Sequence, residues 1–168
     1  MKRRLSIFLS VLIIPLVAGC SSPKIFGIQF APSEKAPEPI IALYDNSGKY
    51  IHLAIYSLTK DEFAEALIRA HKRGVEVKVL IDRIQASSQS SKMIKLEGTG
   101  IELRRSKGGG LMHNKFAIID GIIIYTGSYN HTEGATTKND ENYIIIKDKE
   151  IAHIYETQFH KIWEKHKQ

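Results

Sequence analysis

The sequence predicts an α/β domain in which a mixed, mostly parallel β-sheet is flanked by helices. Two β-rich apolar runs, Tyr50–Tyr56 and Val75–Ile81, bracket a stretch whose apolar residues recur at helical spacing. That stretch stops at Gly74 and the second run begins at once, which is the strand–helix–strand order of a parallel unit. The tail from Glu150 to His166 is amphipathic, with Ile151, Ile154, Tyr155, Phe159, Ile162 and Trp163 on one stripe suited to a core. A length of 168 residues fits one domain, and 43% hydrophobic with 25% charged residues excludes disordered, collagenous and coiled-coil classes. A single Cys excludes an intrachain disulfide and a CxxC metal site.

Ahead of the domain, Lys2-Arg3-Arg4 precedes an apolar run from Leu5 to Ala18 and then the small residues Gly19 and Cys20. A basic start, a short apolar run and small residues describe a secretory signal peptide over residues 1–19. The run falls short of the ~20 residues a spanning helix needs, and Pro15 interrupts it. Leu16-Val17-Ala18-Gly19-Cys20 resembles the lipobox of bacterial lipoproteins. That resemblance implies a lipid anchor on Cys20, attachment to a membrane and export to the bacterial cell envelope. Ser21 in the next position resembles the pattern sorted to an outer membrane. Residues 20–39 hold four of the five prolines and read as a lipidated N-terminus and tether, with a short strand at Ile25–Phe30. Residues 40–168 are left as the main folded domain. The net charge of +6 falls to +3 without the three leading cations, so a polyanion partner must be argued from where the charges lie.

Within the domain, Ile40, Ile41, Leu43 and Tyr44 suggest a short helix, and Tyr50–Tyr56 follows as a strand. Thr59 with Glu62 three residues on has the capping-box pattern, with Phe63, Ala66, Leu67 and Ala70 behind it. Arg69, Lys72 and Arg73 suit the helix C-terminus, and Gly74 ends it. After the polar run Gln85–Ser91 come a helix near Lys92–Glu97 and a strand at Ile101–Leu103. Phe116–Ile119 is apolar on both faces, hence a buried strand. Asp120-Gly121 is a two-residue hairpin signal, returning Ile122–Thr126 antiparallel beside it.

Chemistry concentrates at the open end of that hairpin. His113 and Lys115 share one strand face at the entrance to an apolar core, where burying cations is costly unless an anion meets them. Two side chains turned to water at a strand end satisfy the same pattern. The return strand adds Gly127, which permits close backbone approach, and Ser128 and Asn130, which offer hydrogen bonds to an oxyanion.

His113-x-Lys115-x4-Asp120, then Gly127-Ser128-x-Asn130 after six residues, is similar to the HKD signature of the phospholipase D superfamily. Ile55–Thr59, Arg73–Asp82 and Asn139-Asp140-Glu141-Asn142 also resemble its small bacterial nuclease branch, so the likeness spans about residues 50–165. The resemblance implies a phospholipase D-like sandwich with one HKD motif per chain. It makes His113 the nucleophile that forms a phosphohistidine, and Glu141 the residue that orients its ring. Lys115, Ser128 and Asn130 would bind the non-bridging oxygens. Asp120 lies seven residues from His113, on the opposite face and in the turn, and reads with Gly127 as structural.

The family reaction uses a second His, yet no other His here has a Lys two residues on. Either the chain is inactive, or two copies meet about a two-fold axis and share two His113 side chains; the active homodimer is the expectation. No cofactor is implied, and no Cys/His or carboxylate cluster stands at metal-ligand spacing, which gives a metal-independent hydrolase. Arg104, Arg105 and Lys107 run into Gly108-Gly109-Gly110 and the motif, an expected basic rim for DNA or RNA. Non-specific endonuclease activity is the leading expectation. The alternative is a phospholipase D acting on phosphatidyl headgroups, favoured by a membrane anchor and Leu111-Met112.

Overall fold

The computed structural model describes residues 22–167; the expected signal peptide and Cys20 lie outside them. The strands are β1 Lys24–Ala31, β2 Tyr50–Ile55, β3 Glu76–Ile81, β4 Glu102–Arg105, β5 Lys115–Ile119, β6 Ile123–Gly127 and β7 Glu141–Lys147. The helices are α1 Glu38–Asp45, α2 Asp61–Lys72, α3 Arg83–Ala86, α4 Met93–Leu96, α5 Glu133–Thr137 and α6 Lys149–Lys165. One seven-stranded sheet runs in the order β1-β7-β6-β5-β2-β3-β4.

The sheet is mixed, as expected, but its balance is the reverse of the expected one. Only β2–β3 and β3–β4 pair in parallel, and the other four pairings are antiparallel. The crossover through α2 was legible from its Gly stop, whereas β5 returns antiparallel against β2 and the hairpins β5–β6–β7 extend that pattern. The short strand expected inside the tether is present and runs somewhat longer: β1 pairs with β7 as an eight-residue edge strand, leaving Ile25, Phe26, Ile28 and Phe30 exposed.

Alternation along the central strands feeds two cores. Ile51, Leu53 and Ile55 face the α1/α2 side with Phe63, Leu67 and Tyr125, while Ala54, Phe116 and Ile118 face α6 through Phe159 and Trp163. Helix α2 begins at Asp61 rather than at a Thr59 cap, because the Thr59 and Lys60 N–H groups donate to the His131 carbonyl. That pairing ties the β2 exit to the segment after β6. Asp148 caps α6, accepting from Glu150 and Ile151 N–H.

The β5–β6 hairpin loop has three residues, not two: Ile119 pairs with Ile123, leaving Asp120, Gly121 and Ile122 between. Asp120 adopts φ 56°, a left-handed conformation that a short polar side chain tolerates. Its carboxylate accepts from Gly48 N–H at 2.9 Å, Lys49 N–H at 2.7 Å and Tyr50 N–H at 3.0 Å, fastening the turn to the start of β2.

Candidate active site

At the other end of the same hairpin, His113 and Lys115 enter β5 beside Ile55, the partner of Lys115 across the β2–β5 ladder. His113 is exposed; its imidazole makes no hydrogen bond among the described residues and packs on the Tyr56 ring, centroids 4.5 Å apart. The Lys115 ammonium stands 5.0 Å from the centroid of that Tyr56 ring and donates to the His113 carbonyl at 2.7 Å. Lys115 is 6% exposed and forms no ion pair among the described residues. Burial lowers its pKa, and the nearby Glu141 carboxylate only partly opposes that shift.

The return strand completes the rim. A Cβ at Gly127 would stand 2.1 Å from the Asn142 carbonyl oxygen, so only glycine lets β6 lie this close to β7. Ser128 is held there by its own N–H, which donates to the Asn142 carbonyl at 2.9 Å, while its hydroxyl accepts from Asn142 N–H at 3.1 Å. The Asn130 carbonyl oxygen accepts from Ser57 N–H at 3.2 Å, which leaves its amide N–H groups for an anion. Glu141 opens β7 and accepts from the Asn139 amide at 3.2 Å; no hydrogen bond joins it to His113. An open cleft of about 520 Å³ contains His113, Lys115 and Gly127, and Phe116, Ile154 and Tyr155 form its apolar wall.

The expected basic rim is largely committed within the chain. Arg104 stacks on Trp163 at 4.2 Å and bonds the Glu164 carboxylate at 3.1 Å, and Arg105 bonds Glu97 at 2.9 Å. Lys107 donates its N–H to His166 Nδ1 and its ammonium to the Lys167 carbonyl. The Arg104 and Lys107 contacts lash β4 and its following loop to the C-terminal segment, whose Glu164 and His166 lie about sixty residues away and so escaped the sequence reading; Glu97 stands only eight residues before Arg105.

Three residues were also missed near the site. Tyr56, the shared platform, accepts from the Gln85 amide at 3.2 Å through its hydroxyl. Asp82 is fully buried at the end of β3; it caps α3 and accepts from Met112 N–H at 3.1 Å and the Ser106 hydroxyl at 3.3 Å. Asp82 thereby fixes the residue just before His113. Arg83 is exposed, has no carboxylate partner among the described residues, and borders a groove shared with Gln85. A fourth miss lies elsewhere: against the expectation of no ligand cluster, His52, Glu156 and His160 converge. The only local signal was the i, i+4 spacing of Glu156 and His160 on the amphipathic tail.

Known proteins resemble the chain in sequence and fold. A family model described as the PLD-like domain of cardiolipin synthase matches residues 40–163. The mitochondrial cardiolipin hydrolase of Chlamydomonas reinhardtii is 34% identical over 119 residues, which are 71% of this chain and 53% of that protein. The phospholipase D of Rickettsia bellii is 36% identical over 126 residues, 75% of this chain and 63% of the relative. The chain thus spans about half the length of the first relative and less than two thirds of the second. Among solved structures, the phospholipase D family member Nuc from Salmonella typhimurium has a TM-score of 0.81 at 28% identity, covering 86% of this chain and 97% of Nuc. NucT from Helicobacter pylori shares the fold, with a TM-score of 0.76 at 22% identity over 83% of this chain and 98% of NucT.

Proposed function

The chain belongs to the phospholipase D superfamily, and we propose that it hydrolyses nucleic-acid phosphodiesters through a phosphohistidine at His113. The observation that carries this reading is the pairing of an exposed imidazole with a buried lysine, the one without a hydrogen bond and the other without a counter-ion among the described residues. An arriving phosphate supplies that counter-ion, so binding favours the charged form of Lys115 and holds phosphorus beside His113. Asn130 and Ser128 donate to the remaining non-bridging oxygen.

In the first step an imidazole nitrogen forms the P–N bond as the P–O bond to the leaving alcohol breaks, and a second imidazolium gives that alcohol its proton. In the second step the same imidazole, now neutral, takes a proton from water; the P–O bond to water forms and the P–N bond breaks. One chain has one such His, so two copies meet with both His113 side chains in one site. Glu141, which makes no hydrogen bond to His113 here, takes the ring-orienting role on the family resemblance alone. The steps balance without a metal ion.

The substrate follows from the shape and charge of the surroundings. The cleft is open rather than enclosed, and uncommitted Arg83 lies beyond Tyr56 and Gln85, which suits a continuous backbone passing over the site. A phosphatidyl headgroup is the second reading, supported by exposed Leu111 and Ile154 beside the cleft. It also agrees with relatives named cardiolipin hydrolase and phospholipase D. The chain assayed in chelator against plasmid DNA, RNA and phosphatidylcholine or cardiolipin vesicles is expected to cut nucleic acid. Cleavage confined to the vesicles would reverse the order of the readings. Loss of activity in chelator with recovery on adding a divalent ion, if it persists in a His160→Ala chain whose His52–Glu156–His160 cluster is disabled, would overturn the mechanism. Excess His113→Ala chains, once subunits exchange, should drive activity per wild-type chain towards zero.

A further inference from the structure

We propose that His52, Glu156 and His160 form a site for a divalent ion of the zinc class, apart from the phosphodiester chemistry. His52 sits on the α6 side of β2 and is 4% exposed. Its Nε2 lies 3.0 Å from Glu76 Oε1, and its Nδ1 lies 2.6 Å from Glu156 Oε1. His160 Nε2 is 3.1 Å from that same Glu156 oxygen, and the three candidate ligand atoms lie within 4.8 Å of one another.

Glu156 Oε1 faces a ring nitrogen of each histidine, so one cation set among the three atoms would take two imidazole nitrogens and a carboxylate oxygen together. The Glu76–His52 hydrogen bond is the carboxylate–histidine contact that fixes ring tautomer and orientation around bound metals. Further contacts hold the outer oxygens: Lys78 bonds Glu76 at 2.7 Å, and the Tyr50 hydroxyl donates to Glu156 Oε2 at 3.0 Å.

The His52 ring is also pinned, stacked on Phe159 with centroids 4.9 Å apart and planes 9° from parallel. Two imidazoles and one carboxylate match a four-coordinate zinc site with an open fourth position, at Zn–N and Zn–O bonds of ~2.0–2.2 Å. Ligand atoms then stand about 3.4 Å apart, so Glu156 must retreat from Nδ1 by less than ~1 Å. The His160 side chain is 56% exposed, which gives the ion an entry path and that ligand freedom to move.

The site lies off the reacting centre, since His52 precedes Ile55, the Lys115 partner, by three residues, or ~10 Å of strand. Its consequence is mechanical. The ion ties β2 to α6, the helix that lends Ile154 and Tyr155 to the cleft wall.

The test is calorimetric titration of the chelator-stripped full chain with Zn²⁺ alone, paired with melting curves. The expected result is one ion per chain, a melting temperature that rises with Zn²⁺, and a Co²⁺ form whose visible spectrum is that of a four-coordinate ion. His160→Ala should melt like the stripped wild type yet bind more than about tenfold weaker, and Glu76→Gln should weaken binding by about tenfold through the lost outer contact. Absence of stoichiometric binding by the wild type would overturn the proposal, and so would unchanged affinity in folded His160→Ala. Because the readouts are binding and melting, failure here is distinct from failure of the phosphodiesterase reading.

Discussion

The two ends of the β2–β5 pair treat polar side chains in opposite ways. At the Ile51–Ile119 end every polar group is answered: Asp120 accepts three backbone N–H groups, His52 meets two carboxylates, and the Tyr50 hydroxyl bonds Glu156. At the Ile55–Lys115 end, among the described residues, the imidazole has no hydrogen bond and the lysine has no counter-ion. Buried polar groups stabilise a fold when they are saturated and cost free energy when they are not. The unsaturated end is thus poorer for stability and richer in affinity for an incoming anion.

The sharpest way to break this contrast is to empty the unsaturated end. His113→Ala should lower turnover of a small phosphodiester on the order of 10⁴-fold or more, with an unchanged melting temperature. Lys115→Met should cost about 10²–10³-fold in turnover while raising the melting temperature, because the desolvated ammonium is gone. A Lys115→Met protein that melts well below wild type would show that this end serves the fold.

At the saturated end the effects should move from activity to stability. Asp120→Asn presents one acceptor oxygen to three donors and should cost about 1–3 kcal/mol in denaturant unfolding, with turnover per folded molecule little changed. A stable but inactive Asp120→Asn would erase the distinction between the ends.

His131 extends the contrast to pH. Its imidazole is fully buried against the Tyr44 and Tyr125 hydroxyls at 3.0 and 3.1 Å, and burial depresses its pKa from 6.5 to about 3. Below pH 6.5 the unfolded chain takes up a proton that the folded one refuses until about pH 3. Its contribution to stability should therefore be lost as pH falls through that window, by about 1.4 kcal/mol per pH unit. His131→Phe should flatten that limb of the stability curve; an unaltered slope would assign the acid sensitivity to other groups.

Legibility in the sequence followed contact range. The β5–β6 hairpin and its chemistry lie within twenty residues, so spacing alone placed His113, Lys115, Gly127, Ser128 and Asn130 at one sheet end. The parallel β2–β3 pairing was legible from the Gly74 stop for the same reason. Groups that meet across the chain were hidden: Asp82 with Met112, and His52 with Glu156, are joined by the sheet order and by no local pattern. Thr59 carried a correct cap signature, but the His131 carbonyl took its N–H and moved the helix start. Local propensity yields wherever a tertiary hydrogen bond competes for the same backbone group.

The smallest expected effects concern cations outside the reacting centre, where pairing should decide which of them a polyanion feels. Arg105 is bonded to Glu97, both ends largely in water, so Arg105→Ala removes a pair worth at most ~1 kcal/mol and leaves little net change in local charge once Glu97 is also replaced. Arg83 has no such partner among the described residues and lies beyond the Tyr56–Gln85 contact. If nucleic acid crosses the site, Arg83→Ala should weaken binding modestly and reduce the slope of log affinity against log salt by about 0.7–0.9, one phosphate contact. The Arg105→Ala/Glu97→Gln pair should leave that slope unchanged. Equal slopes in all three proteins, measured at fixed temperature over the same salt range, would mean that the backbone does not pass over Arg83. The phosphatidyl reading would then gain, because a neutral phosphatidylcholine surface has no counter-ion atmosphere to release, and its binding should be indifferent to both substitutions.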